Sequence, residues 1–122
     1  MSKRILIVDD EADILEIVKA RLMAAGYDVF TAEDGLAGLA MAKNEKPDLI
    51  ILDIMMPKMD GYTALRELRK NADTEKIPVL MLSVKEKSKM EDMLYFQNIS
   101  DYMEKPFDSY ELLEKVKKIL QE

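Results

Sequence analysis

Three uninterrupted apolar runs, at residues 5–8, 49–52 and 79–82, stand out along the chain. Continuous apolar runs of this length are typical of parallel strands that are covered on both faces. A weaker run at Val29 and Phe30 and a short segment at residues 101–104 predict two further strands. The hydrophobic pattern therefore predicts five strands in all.

Between the strands, apolar residues recur at the spacing of one helix face. The stripes of the five predicted helices are Ile14, Ile17, Val18 and Leu22; Leu36, Leu39 and Ala40; Leu65 and Leu68; Met90, Met93 and Leu94; and Leu112, Val116, Ile119 and Leu120. Gly26 is placed to stop the first helix, and Pro47 follows the second. Asp60 and Asp108 are placed to cap the third and the fifth.

This alternation of strands and helices predicts an α/β fold. We expect a doubly wound five-stranded parallel sheet with five helices, in one domain that fills residues 1–122, with right-handed crossovers. In the flavodoxin-like strand order 2-1-3-4-5, strands 1 and 3 are neighbours, and a pocket opens at the carboxyl ends of the strands. Polar residues at those ends are therefore the first candidates for function.

Composition narrows the chemistry that these residues can perform. The 122 residues are 48% apolar and 34% charged with a net charge of −6, which favours a globular protein and disfavours a nucleic-acid-binding face. The absence of cysteine and histidine excludes disulfides, thiolate metal ligands and histidine acid–base catalysis. The N-terminus predicts neither a signal peptide nor a membrane span, so a cytoplasmic location is the expectation.

Carboxylates gather at the predicted pocket. Asp9 and Asp10 end strand 1 and Asp53 ends strand 3, while Ser83 and Lys105 follow strands 4 and 5 at the same edge. Clustered carboxylates repel one another, and a hard divalent cation resolves that conflict. Oxygen ligands without histidine or cysteine indicate Mg²⁺, with Mn²⁺ as the alternative.

The charges of such a site suit phosphoryl transfer. The formal charges of the three aspartates, Mg²⁺ and Lys105 cancel, which leaves the site ready for a phosphoryl dianion. An aspartate beside Mg²⁺ can attack phosphorus, while Lys105 and the Ser83 hydroxyl contact the transferred group. Taken singly, an aspartate here is more typical of a helix cap, and Ser83 and Lys105 of ordinary surface groups. Their coincidence at one edge favours function.

At this point the sequence resembles the receiver domains of response regulators in two-component signalling, over essentially its whole length. The resembling segments are residues 5–11, 47–61, 77–83 and 101–107. Four motifs in this order, at domain-filling spacing, are a specific signal. The resemblance implies that Asp53 is the phosphoacceptor. It also implies that Asp10 and Asp53 bind Mg²⁺ by side chain, Met55 by its backbone carbonyl, and Asp9 through a metal-bound water.

The resemblance assigns roles to the remaining motif residues as well. Lys105 contacts the phosphoryl group, and the bond between Lys105 and Pro106 is expected to be cis. Ser83 and Tyr102 are expected to form a conformational switch, in which the hydroxyl moves toward the phosphoryl group and the ring turns inward. Gly61 serves the loop after the acceptor, where a side chain would crowd the backbone.

Some positions depart from the usual family pattern. Val84 stands where a small residue is common after the switch hydroxyl, and Asn98-Ile99 stand where Gly-Ala is common. Met55 and Lys85 occupy positions at which a side chain can tune the lifetime of the phosphoryl group. Neither residue can orient an attacking water as a carboxylate or amide does. We therefore predict slow self-dephosphorylation.

The expected partners are a sensor histidine kinase or phosphotransfer protein and a downstream protein. The expected output surface comprises the fourth helix, fifth strand and last helix, roughly residues 86 to 121. No direct contact with nucleic acid or membrane is predicted, and a phosphorylation-dependent homodimer is left open. The chain reads either as a stand-alone regulator or as the receiver domain of a larger one.

Three other function classes fit the residues less well. An aspartyl-phosphate phosphatase calls for a second aspartate where this chain has Met55. A flavin-binding module calls for a Ser/Thr/Gly-rich loop where Asp9-Asp10-Glu11 stand. A receiver-like domain that has lost phosphorylation is disfavoured by the complete acidic set.

Overall fold

The computed structural model describes residues 2–83, without the side chain of Ser83, and residues 99–122. Its strands are β1 (Arg4–Val8), β2 (Asp28–Ala32), β3 (Leu49–Asp53), β4 (Val79–Ser83) and β5 (Asp101–Glu104). The helices of the described residues are α1 (Ala12–Ala24), α2 (Gly35–Glu45), α3 (Gly61–Lys70) and α4 (Ser109–Leu120). The predicted helix at Met90, Met93 and Leu94 lies outside the described residues, as do Val84, Lys85 and Asn98.

The five strands form one parallel sheet in the order β2-β1-β3-β4-β5, as predicted. Val8 pairs with Leu52 between β1 and β3, and Asp53 pairs with Leu82 between β3 and β4. Because the strands are parallel and in step, the carboxyl ends of β1, β3 and β4 lie at the same edge of the sheet. This edge is where the candidate site forms.

Two hydrophobic clusters cover the two faces of the sheet. Alternate residues of each strand point to opposite faces, so neighbouring residues of β1 and β3 belong to different clusters. One cluster contains Leu6, Val8, Ile50 and Leu52 with Leu65 and Leu68 of α3, and the other contains Ile5, Ile7, Leu49 and Ile51 with Leu22 of α1 and Val116 of α4. Each buried aliphatic side chain stabilises the fold by about 1.5–3 kcal/mol, so the sheet is held rigidly from both sides.

The buried face of α1 differs from the predicted stripe. Val18 and Leu22 are buried, but Ile17 is 55% exposed and Leu15 takes its place. At 100° per residue, Leu15, Val18 and Leu22 share one face, whereas Ile17 lies about 200° around the helix from Leu15. The prediction for Ile17 was therefore wrong.

The buried face of α2 consists of small residues, Gly35, Gly38 and Ala42, with Leu39 partly buried. The prediction was wrong for Leu36, which is 60% exposed, and for Ala40, which is also exposed. The reason is the close approach of α2 to β1, since a Cβ atom on Gly38 would lie 2.8 Å from Val8 Cγ2. Only a small residue fits where α2 contacts Val8.

The predicted helix ends are confirmed. Gly26 adopts a φ of +97°, its N–H bonds to the carbonyl of Met23, and the Tyr27 N–H bonds to that of Leu22. This is a Schellman stop, in which a glycine takes the left-handed conformation. The Asp60 side chain caps α3 by accepting from the Thr63 N–H, and Asp108 caps α4. Within the described ranges, no helix has the length and apolar character that crossing a membrane requires.

Candidate functional site

Four acidic residues meet at the carboxyl edge of the sheet. Asp53 is the last residue of β3, and Asp9 directly follows β1, where its N–H bonds to the carbonyl of Ala32. Carboxylate oxygens of Asp9, Asp10, Glu11 and Asp53 all lie within 4.8 Å of one another. The structure thus brings together the three predicted aspartates and adds Glu11.

Asp53 lies at the centre of this cluster and is only 1% exposed. Its Oδ1 lies 3.3 Å from the Lys105 Nζ, yet neither carboxylate oxygen has a hydrogen-bond partner among the described residues. Burial raises the pKa of Asp53 to about 7, and the negative charge of Asp9 adds to this effect while Lys105 opposes it. Because neither oxygen accepts a hydrogen bond from the described residues, this carboxylate can take another ligand.

Lys105 is the cation of the cluster. Its side chain is 9% exposed, and its Nζ donates hydrogen bonds of 2.8 Å to Asp9 Oδ2 and of 2.8 Å to Glu11 Oε1. Burial lowers the pKa of Lys105, but the hydrogen bonds to these carboxylates outweigh burial, so the pKa lies above its ordinary value. The ammonium therefore stays charged at neutral pH and offsets part of the acidic charge.

Helix capping does not account for the aspartates that follow β1. Glu11 occupies the N-cap position of α1 without a side-chain capping bond. Asp9 accepts a 2.9 Å hydrogen bond from the Glu11 N–H through Oδ1, while Asp10 is exposed beside it. The helix-cap role that is typical of a single aspartate at this place therefore does not apply to Asp10, since Glu11 is the N-cap residue.

The contact between Glu11 and Lys105 is the feature that sequence reasoning missed. The available signal was positional: Glu11 follows β1 and Lys105 follows β5, so both lie at the same edge. The spacing along the sequence does not determine whether two long, flexible side chains at this edge extend toward each other.

The remaining predicted residues lie around this cluster. Tyr102 is half-buried and packs against the core cluster that contains Met81, and the bond between Lys105 and Pro106 is cis. Met55 is 66% exposed, two residues after Asp53. Ser83 ends β4 beside Glu104 of β5, and its side chain lies outside the described part of the chain.

A family model described as the response regulator receiver domain matches residues 5–117 of the chain. The chain belongs to this family. Receiver domains are generally not classical enzymes, and they interact with histidine kinases and downstream effectors.

Known proteins resemble this receiver domain over almost all of its length. The DNA-binding dual master transcriptional regulator RpaA of Synechocystis sp. is 44% identical over 117 residues, which cover 96% of this chain and 48% of RpaA. The chain thus spans about half the length of that relative. The chemotaxis protein CheY4 of Vibrio cholerae is 30% identical with a TM-score of 0.91, covering 98% of this chain and 99% of CheY4.

A third similar protein is the receiver domain of the sensor histidine kinase PA1611 from Pseudomonas aeruginosa PAO1. It is 26% identical with a TM-score of 0.88, and the match covers 100% of both chains. Its structure contains a magnesium ion coordinated in the active site cleft.

The donor set of this receiver domain fits a hard divalent cation. All side-chain donors of the cluster are carboxylate oxygens, which Mg²⁺ prefers. The buried oxygens of Asp53, which have no hydrogen-bond partner in residues 2–83 or 99–122, are the kind of groups that a bound ion satisfies. The acidic cluster can therefore hold a metal ion.

Gly61 supports the receiver domain's acceptor strand from the start of α3. A Cβ atom at Gly61 would lie 2.4 Å from the backbone oxygen of Asp53 and 2.7 Å from the Cα of Ile54. Both neighbours are backbone atoms, which cannot rotate away as a flexible side chain can. The Gly61 N–H also donates a 2.8 Å hydrogen bond to the carbonyl of Ile54.

We expect Gly61→Ala to lower the free energy of unfolding by about 3 kcal/mol, because the added methyl forces the backbone after Asp53 to move. Urea denaturation followed by circular dichroism measures this change. Gly35→Ala is the matched control, since the three atoms nearest to its Cβ would all belong to the Met59 side chain, at 3.0 Å, and none to the backbone. Equal losses in the two variants would contradict the expectation.

Proposed function

We propose that this receiver domain is a signalling switch that accepts a phosphoryl group on Asp53 from a histidine kinase or a phosphotransfer protein. The observation that supports this most directly is the state of the Asp53 carboxylate. It is buried, has no hydrogen-bond partner among the described residues, and lies 3.3 Å from the Lys105 ammonium. A structural carboxylate at this depth would normally be hydrogen-bonded.

The reaction is a substitution at phosphorus. An oxygen of Asp53 forms the new O–P bond, the P–N bond of a phosphohistidine donor breaks, and the imidazole leaves with the electron pair. With a small donor such as acetyl phosphate, a P–O bond breaks instead and acetate leaves. The product is an acyl phosphate on Asp53, and no general base is needed because the nucleophile is already a carboxylate.

Mg²⁺ is the proposed cofactor, with Mn²⁺ as the alternative. Asp10 and Asp53 would hold it by their side chains, Met55 by its backbone carbonyl, and Asp9 through a water. When bound, the ion supplies positive charge that keeps Asp53 ionised and offsets the charge of the incoming phosphoryl group. The magnesium ion in the active site cleft of the PA1611 receiver domain supports the choice of Mg²⁺.

Lys105 and the switch residues complete the proposal. The Lys105 ammonium would bond a phosphoryl oxygen, and the Ser83 hydroxyl would bond another. Tyr102, half-buried on β5, would turn inward after Ser83 moves. The resulting change in the surface of residues 86 to 121, part of which lies outside the described residues, would regulate a downstream partner.

Labelling with acetyl phosphate tests the proposed function. We expect one phosphoryl group per chain in the presence of Mg²⁺ and none when EDTA removes the metal, measured by intact-protein mass spectrometry. Continuous turnover of p-nitrophenyl phosphate would instead indicate a phosphatase. Labelling that does not depend on a divalent metal would contradict the proposal.

The lifetime of the acyl phosphate is expected to depend on Met55. This exposed thioether lines a cleft together with Asp10 beside the acceptor, and it has no group that can orient water. We predict that Met55→Asn accelerates the first-order decay of the phosphorylated protein by about threefold or more, because the amide can position the attacking water.

The decay is measured by following loss of the label after the phosphodonor is removed. Met23→Asn is the control, because Met23 is similarly exposed (54%) but lies on α1. A decay constant of Met55→Asn equal to that of the control would remove the support for this role of Met55.

A further inference from the structure

Two of the three donors of the Lys105 ammonium are already engaged by carboxylates other than Asp53. Two short hydrogen bonds go to Asp9 Oδ2 and Glu11 Oε1, both at 2.8 Å, and Asp53 Oδ1 lies at 3.3 Å. A lysine ammonium has three donors and no more. A phosphoryl group on Asp53 brings further oxygens to this position, and only one donor remains for them, so Lys105 has to release an existing partner before it can bond more than one of these oxygens.

Glu11 is the partner that is easiest to release. The side chain of Asp9 is fully buried, so a break in its bond to Lys105 would leave a charged oxygen without water. The side chain of Glu11 is 57% exposed, so water can take the place of the ammonium at little cost. The phosphoryl group and Glu11 thus compete for the same donor.

The position of Glu11 is nevertheless well defined. Its N–H donates a 2.9 Å hydrogen bond to Asp9 Oδ1, while Asp9 Oδ2 and Glu11 Oε1 both accept from Lys105. These contacts close a ring of three residues. Although Glu11 is the N-cap residue of α1, its side chain makes no capping bond and reaches toward Lys105 instead.

We propose that Glu11 is a positioning residue that holds Lys105 in the unphosphorylated protein and weakens phosphoryl binding by competing for it. This inference rests on the proposed role of Lys105 as the group that contacts the phosphoryl oxygens. It assigns Glu11 to Lys105 and not to the metal, although an oxygen of Glu11 lies within 4.8 Å of the other carboxylates. The two assignments predict opposite effects when Glu11 is neutralised.

The test compares Glu11→Gln with Asp13→Asn. Both changes remove one negative charge from an exposed acidic residue at the start of α1, and Asp13 is not part of the ring around Lys105. The control matches the loss of one exposed charge, but Glu11 also lies closer to the other carboxylates than Asp13 does, so a measurement at Lys105 itself is needed to separate the contact from the nearby charge. Because Gln keeps the size of Glu and the site is exposed, both variants are expected to fold.

Two ligands are titrated separately by calorimetry: Mg²⁺ alone, and then beryllofluoride at saturating Mg²⁺ as a mimic of the phosphoryl group. Relative to Asp13→Asn, we expect Glu11→Gln to bind beryllofluoride about fivefold more tightly, the size of effect expected when one partly exposed ion pair no longer competes. The Kd for Mg²⁺ is expected to agree between the two variants within about twofold.

A third measurement needs neither ligand. In metal-free protein, the ¹⁵Nζ ammonium signal of Lys105 reports how well its protons are protected from water. We expect faster proton exchange in Glu11→Gln than in Asp13→Asn, because a neutral amide oxygen accepts more weakly than a carboxylate.

The outcomes separate the two proposals. Equal beryllofluoride affinity in the two variants, or a weaker Mg²⁺ affinity confined to Glu11→Gln, would overturn the role of Glu11. Failure of the wild-type protein to bind beryllofluoride in Mg²⁺ would overturn the proposed function instead. In that case the exchange rate at Lys105 still decides whether Glu11 holds the ammonium.

Discussion

Replacement of Asp53 by asparagine is expected to reduce phosphoryl labelling from acetyl phosphate at least about 1,000-fold, to background. Asparagine has nearly the shape of aspartate, so the buried position remains filled. Its neutral amide is a poor nucleophile toward phosphorus, and it removes one of the carboxylates proposed to bind the metal. Both effects act on the chemical step itself.

Intact-protein mass spectrometry after incubation with acetyl phosphate and Mg²⁺ measures this loss. Asp34→Asn is a suitable control, because Asp34 caps α2 by accepting from the Ala37 N–H and asparagine caps helices equally well. That variant is expected to label like the wild type. Retained labelling of Asp53→Asn, with the phosphoryl group found on another residue, would show that Asp53 is not the acceptor.

The second large effect concerns stability in the absence of metal. Burial, with the charge of Asp9 beside it, raises the pKa of Asp53 in the folded protein to about 7, whereas its ordinary value is 3.8. The folded state therefore binds more protons than the unfolded state between these two values. The protonated Asp53 carboxyl therefore adds to the free energy of unfolding at low pH, and this contribution is lost as the pH rises through about 7.

Asp53→Asn isolates this contribution, because asparagine stays neutral at every pH. We expect the free energy of unfolding of metal-free wild-type protein to fall relative to that of Asp53→Asn by about 3 kcal/mol between about pH 5 and pH 8, at 1.36 kcal/mol per pKa unit.

Urea denaturation in EDTA at several pH values measures the difference between the two proteins. Addition of Mg²⁺ at the higher pH is expected to stabilise the wild type and to have little effect on Asp53→Asn, because a ligand that binds only the folded state shifts its stability. If the free energies of unfolding of the two proteins changed in parallel from low to high pH, Asp53 would not carry an unfavourable charge.

The sequence by itself determined the order of elements and the convergence of the aspartates. Continuous apolar runs separated by helical segments left few topologies, because parallel strands need right-handed crossovers. In the resulting order the strand that precedes Asp9 and the strand that ends at Asp53 are neighbours, and the structure confirms that adjacency. Lys105 lies at the same edge because it comes directly after β5, which is parallel to the other strands.

Only the tertiary structure decided which residues of each helix are buried and how the ionic contacts pair. The periodicity of α2 indicated a buried stripe of Leu36, Leu39 and Ala40. The close approach to β1 leaves room only for a small residue at Gly38, and Leu36 is exposed. Likewise, Glu11 and Lys105 are 94 residues apart in sequence, and their contact depends on how far two flexible side chains extend. Local sequence patterns indicate where helices and strands form. The distance between a helix and the sheet, and the pairing of charges far apart in sequence, are set only when the elements pack together.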